Sequence, residues 1–199
     1  MSRVRYVLDG PAVGDAGDDT SVADTRTGVE SDLIARIRAR RGGTLLNLDR
    51  LLLNSPPFAQ GWNTHLGAVR GGLLLSAKLR ELAICAVAVL NGADYEWDQH
   101  APEWLRAGAT REQLAALSAS GEMFEGDVTV FDAVEKSVLQ LTFEMTRNVR
   151  VSEPTFERVR RALNNDERQV VELVGVIATY NMVSRFLVAL EIDLEKSGS

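Results

Sequence analysis

Apolar residues recur at helical spacing along almost the whole chain, and no stretch alternates apolar and polar long enough to make a strand. The pattern predicts an all-α fold of about eight or nine helices. One stretch, Ser76 to Gln113, stands out. Residues 77–90 are apolar nearly all round after the first turn, the mark of a helix buried on every side, yet they carry Glu81. Ser76 can cap that helix and Asn91-Gly92 can stop it. Asp94 can cap the next, which runs to about Ala107, with Pro102 as a place to kink or divide it. On this second helix Glu96 and His100 stand four residues apart and share a face. Glu103 extends that face by a turn, and Trp97, Ala101 and Trp104 form an apolar stripe beside it.

The other helices follow from the same arithmetic. Leu33, Ile34 and Ile37 predict a helix over 29–41, closed by Gly42-Gly43. A short helix follows over 45–53. Pro56-Pro57 then suits the start of another, over about 58–69. Thr110 to Gln113 is a capping box for a short helix ending near Ser118. Gly121 to Gly126 reads as a loop. Val130, Val134, Val138, Leu141 and Met145 predict an amphipathic helix over 127–148, and Ser152 opens one through about Leu163. Asp166, with Gln169 in the reciprocal position, caps a strongly apolar helix over 167–190, with Tyr180, Asn181 and Arg185 near its middle. Residues 1–28 lack periodicity and read as an irregular arm, leaving 29–199 as one helical domain. Within the arm, VRYVL is suited to an extended segment or to packing on a neighbour.

Composition narrows the function. The chain has 199 residues, 45% apolar and 25% charged, enough for one domain with a sizeable core. A net charge of −6 speaks against nucleic acid, whose phosphates ask for a basic surface. A small anion held by a local arginine is still compatible with it. Arg36, Arg38, Arg40 and Arg41 form a basic patch: a solvated face, an anion-binding rim or a subunit contact. A single cysteine allows no intrachain disulfide and fits a reducing compartment. Met1 to Leu8 lacks the apolar core of a signal peptide, and the run Leu82–Leu90 is too short to span a bilayer. A cytoplasmic protein without a membrane partner is expected. The apolar excess of 76–90 and 167–190 points to a homo-oligomer.

The candidate chemistry centres on Glu81, Glu96 and His100. Titratable groups in different environments hold different proton affinities, which is what general acid–base catalysis needs. A buried Glu81 requires a partner, and His100 would supply one. Cys85 follows Glu81 by one turn; a carboxylate neighbour makes a thiol less reactive, so Cys85 reads as a small apolar filler. Tyr95, His65, Asn181 and Arg185 are candidates for contacting a small-molecule substrate. Two other functions compete. His65 and His100 with Glu96 or Glu81 would make a two-histidine, one-carboxylate metal set; the favoured version needs no metal and no other cofactor. A non-catalytic oligomeric binding protein could also use such a fold.

The run ELAICAVAVLNGADYEWDQH, followed by AGATREQL, resembles the carboxymuconolactone decarboxylase family, within the alkylhydroperoxidase-D-like superfamily. LLNLDRLLLNSPPFAQGW and YNMVSRFLVALEIDLE are similar to that family's flanking segments, so the resemblance spans roughly residues 30 to 195. It implies an all-helical oligomer, a trimer or a hexamer built from trimers, with a dimer as a further option. The superfamily's peroxidase branch pairs a Cys-x-x-Cys motif with a histidine four residues on and a glutamate on the preceding helix. At those positions this chain has Ala93, Glu96, His100 and Glu81. With both thiols missing, the resemblance argues against dithiol peroxidase activity. The decarboxylase branch carries Glu-x-x-x-His there, which Glu96 and His100 match. The resemblance thus implies a lyase, acting by decarboxylation or proton transfer on a small organic acid or lactone, with Glu81, Glu96 and His100 as its catalytic residues.

Overall fold

The helix without a polar face becomes the axis of the molecule. In the computed structural model this helix, α4 (Ala77–Asn91), packs against α5 (Asp94–Arg106), α7 (Ala133–Arg147) and α9 (Glu167–Leu190). The structure describes residues 2–7, 28–119 and 128–195; the expected arm over 8–27 and the loop over 121–126 lie outside the described residues. The remaining helices are α1 (Gly28–Arg41), α2 (Asn47–Leu52), α3 (Pro56–Gly71), α6 (Arg111–Ala119) and α8 (Glu153–Ala162), with a 3-10 turn at Val128–Val130. Among the described residues there are no strands, and the fold is all-α.

Sequence explains where α4 begins and ends. The Ser76 hydroxyl accepts from the Leu79 amide at 3.3 Å. Gly92 takes φ 61°, a left-handed conformation that costs a glycine little. Between them, every side chain from Leu82 to Val87 is fully buried. Burying a leucine, isoleucine or valine in this way contributes about 1.5–3 kcal/mol. α9 is long and apolar enough to cross a membrane by length and composition, but Val170, Leu173, Val176, Ile177 and Tyr180 are spent inside the core.

Three boundaries differ from the sequence expectation. Asp94 occupies the first helical position rather than the cap, where its charge still favours the helix N-terminus. α5 runs undivided through Pro102. The helix expected from residue 127 starts only at Ala133, because Asp132 and Glu135 form a capping box there: Asp132 Oδ1 accepts from the Glu135 amide at 2.8 Å and Glu135 Oε2 from the Asp132 amide at 3.0 Å.

The chain ends are stitched together around α2. The Arg3 amide donates to the Leu190 carbonyl at 2.9 Å and the Val7 amide to the Arg50 carbonyl at 3.1 Å. The Tyr6 hydroxyl donates to Asp193 at 3.0 Å. Glu195 accepts from the Asn47 amide at 2.8 Å and from the Tyr95 hydroxyl. Residues 3–7 therefore pack on α2 and on the chain's own segment at 190–193. This clamp holds Leu46 and Leu48 where they wall a cavity between α1, α3, α5 and α9.

Candidate functional site

α4 and α5 bring Glu81 and His100 together inside the core. His100 Nδ1 lies 2.7 Å from Glu81 Oε2, and Arg80 Nε donates to Glu81 Oε1 at 3.2 Å. Burial pushes the Glu81 carboxyl up, but the hydrogen bond and charge of His100 and the charge of Arg80 outweigh it and hold Glu81 below its ordinary range. Glu81 is therefore a carboxylate. Burial is the largest influence on His100 and lowers its pKa, with Glu81 offsetting only part of that. A neutral imidazole beside an accepting carboxylate must carry its proton on Nδ1. Its Nε2 lone pair is left without a hydrogen-bond partner among the described residues. Tyr180 meets the imidazole edge-on, ring centroids 5.0 Å apart and planes at 86°, which restrains the ring's tilt.

Glu96 shares a face of α5 with His100, as its spacing requires, but the imidazole's hydrogen bond goes to Glu81. Neither Glu96 oxygen has a hydrogen-bond partner among the described residues, and the residue is 1% exposed. Burial alone pushes its carboxyl well above the ordinary value. Burial thus favours the uncharged form of Glu96, an acid with a proton to give. Glu81 and Glu96 are thus two carboxyls at one site in opposite protonation states, and environment separates them.

Glu96 and His100 line a cavity of about 40 Å³, together with Tyr95 and Gln99 from α5, Trp62, Leu66 and Arg70 from α3, and Tyr180, Val183 and Leu187 from α9. Outside lies a basin of about 470 Å³ that also touches Gly67 and Glu103. Arg40, Arg41, Leu46, Arg70 and Gln99 border both spaces, so the basin adjoins the cavity. Asp49, buried under this border, lies 3.0 Å from Arg41 Nε and 3.6 Å from Arg40 Nη2. Burial, then the charge of Arg41, lowers the Arg40 guanidinium to about 10, with Asp49 restoring only part.

Other expected site residues fall elsewhere. Tyr95 lines the cavity, with its hydroxyl engaged by Glu195. His65 lies on the exposed side of α3, 2.9 Å from the Thr179 hydroxyl. Asn181 Oδ1 accepts from Asn91 at 3.1 Å and from Arg185 at 2.7 Å, and Asn181 Nδ2 donates to Thr146 at 2.9 Å. The structure thus does not bring His65, Asn181 or Arg185 to this cavity. The reason is helical phase: Tyr180, Val183 and Leu187 make one face of α9, and Asn181 and Arg185 make the next. His65 and His100 do not converge either, and among the described residues no three His, Cys, Asp or Glu side chains are grouped to hold a metal. Cys85 is fully buried; burial, then the charge of Glu81, pushes its thiol up, as befits a filler.

Sequence reasoning missed Arg70, Gln99 and Trp62 as cavity residues, and left Tyr180 between a helix contact and a pocket role. A signal was present for one wall: Trp62, Leu66 and Arg70 are spaced by four along α3 and form a stripe ending in a charge.

Residues 56–136 match the carboxymuconolactone decarboxylase family. The match spans α3 to the start of α7 and so includes Glu81, Glu96 and His100. No curated protein matches the sequence. Among solved structures, a peroxidase-related protein from Silicibacter sp. TM1040 is similar at 19% identity and TM-score 0.64, covering 94% of this chain and 93% of that one. A second, from Ralstonia eutropha JMP134 and described as an alkylhydroperoxidase AhpD core, is similar at 15% identity and TM-score 0.69, with 83% and 86% covered. The debrominase Bmp8, in complex with 2,3,4-tribromopyrrole, is similar at 16% identity and TM-score 0.68, with 89% and 92% covered. At such identities the likeness is one of fold: the chain has the helical fold of AhpD-like proteins.

Proposed function

We propose that this chain is an enzyme, a lyase in the broad sense, that moves protons on a small organic acid or lactone. His100 Nε2 is the base, Glu96 the acid, and Glu81 a positioning residue that fixes the imidazole tautomer. The observation that carries this proposal is a partnerless neutral carboxyl and a free imidazole nitrogen in one small cavity. An unpaired buried polar group costs stability, and a substrate that accepts its proton turns that cost to use.

In a decarboxylation the electrons of the broken C–C bond stay on the substrate carbon, CO2 leaves, and that carbon needs one proton. Glu96 delivers it and becomes a buried carboxylate. Leaving a charge there is unfavourable, so Glu96 recovers a proton from solvent through the basin. If the step is instead an enolisation, His100 Nε2 takes the proton next to a carbonyl while Glu96 donates to the carbonyl oxygen. Arg70, Arg40 and Arg41 give the entrance a positive character that suits an acid substrate. The test is turnover of carboxylated lactones and β-keto acids by the parent, Glu96→Gln and His100→Gln. A working substrate processed by His100→Gln at the parental rate would sink the proposal.

A further inference from the structure

The border between basin and cavity holds a cation with nothing to bind. Arg70 has no hydrogen bond or ion pair among the described residues, yet it lines both spaces. It is close enough for its charge to act on Glu81, His100 and Tyr180. Beside it, Arg40 Nη2 is buried without a hydrogen-bond partner, and Asp49 at 3.6 Å is beyond hydrogen-bond reach of it. Arg41 and Arg40 share the single Asp49 carboxylate. The other acid on the basin wall, Glu103, is engaged by Arg106 at 2.9 Å. Positive charge is therefore in surplus where the basin narrows, and Gln99 stands beside it with an amide free to donate.

Cavity size divides the substrate. A space of about 40 Å³ takes only a few heavy atoms, whereas the basin of about 470 Å³ takes the rest. Resting on the acid–base proposal for Glu96 and His100, we propose that Arg70, Arg40 and Gln99 form an anion subsite for a substrate carboxylate that the reaction leaves intact. The reacting carbon of the same molecule reaches inward to Glu96 and His100. A carboxylate paired with guanidiniums is stabilised in its ground state, which opposes its loss as CO2. The bond that changes therefore lies on another carbon, a few bonds away, in the inner cavity. The substrate class is a small acid with one spectator carboxylate and a second, reactive carbonyl or carboxyl function.

The test is calorimetric binding to the full-length protein, with four- to six-carbon keto acids such as 4-oxopentanoate and their carboxamides as probes. The keto acids should bind, the carboxamides should not, and added salt should weaken the keto acids. Arg70→Gln and Arg40→Gln should each weaken keto-acid binding by about tenfold or more, the usual scale for a charge-assisted hydrogen bond. Arg70→Lys should fall between, keeping the charge and losing the fork. Carboxamides that bind as tightly as keto acids, a panel of keto acids that all fail to bind, or unchanged binding in a folded Arg70→Gln variant would each overturn the subsite. If binding follows the arginines while His100→Gln retains parental turnover, the subsite stands and the acid–base proposal falls.

Discussion

Glu96 and Glu144 are both buried glutamates on helices of the same bundle, and they sit in opposite states. Glu144 accepts from Gln140 at 2.9 Å, from the Ser152 amide at 2.7 Å and hydroxyl at 3.3 Å, and from the Thr155 hydroxyl at 2.6 Å. Burial would raise its carboxyl, but these hydrogen bonds pull it down to about 2. Glu96 accepts from nothing and is pushed up. The first carboxylate is saturated and ties α7 to the start of α8. The second is left with its proton and a cavity in front of it. Burial of a charge-bearing residue therefore says little until its partners are counted.

The contrast can be broken in order of expected effect. The largest effect concerns turnover: His100→Gln and Glu96→Gln should each lose about 10²–10⁴-fold with a suitable substrate, the usual worth of a general acid or base. Glu144→Ala should leave the rate unchanged in the folded protein. Equal losses in all three would erase the distinction.

The next effect is on stability. Glu144→Ala strands Thr155, Gln140 and the Ser152 amide and should cost about 1–3 kcal/mol in denaturant unfolding. Glu96→Gln exchanges one neutral group for another and should cost no more than about 1 kcal/mol near neutral pH. A Glu96→Gln variant as damaged as Glu144→Ala would make Glu96 a structural residue.

The pH dependence of stability should run in opposite directions for the two acids. Glu144 is depressed from 4.5 to about 2, so its contribution is present above 4.5 and is lost as pH falls through about 2. Glu96 is raised above 4.5, so its contribution is present below 4.5 and is lost as pH rises through the folded value. Urea titrations across pH should show Glu144→Gln with a flatter acid limb. Glu96→Gln should gain on the parent as pH rises above 4.5. Matching pH profiles for both variants would contradict the assignment of opposite states.

The smallest effect is expected at Cys85. Its thiol is held protonated by burial and by the Glu81 carboxylate, so Cys85→Ala should keep activity within a few-fold. Abolished turnover in a folded Cys85→Ala protein would reopen thiol chemistry at this site.

The sequence by itself determined the all-helical class, most helix limits and the burial of α4. These depend on local rules: apolar periodicity, Ser76 and Asp166 as caps, Gly92 as a stop. It also determined that Glu81 needs a partner, and His100 was identified as that partner. The competition for His100 was decided only by tertiary structure. Glu96 at i, i+4 is the local partner, but the packing of α4 on α5 brings Glu81 to Nδ1 and leaves Glu96 alone, and that reverses its protonation. Local rules also could not say that Arg40 and Arg41, but not Arg36, line the cavity and its basin, nor that Arg70 from α3 joins them. They did not separate Tyr180 from Asn181, adjacent in sequence and on different faces of α9. Spacing fixes which residues share a face of one helix. Which face meets which neighbour is set by how all the helices pack around the core, and a carboxyl's pKa follows from that packing rather than from its place in the chain.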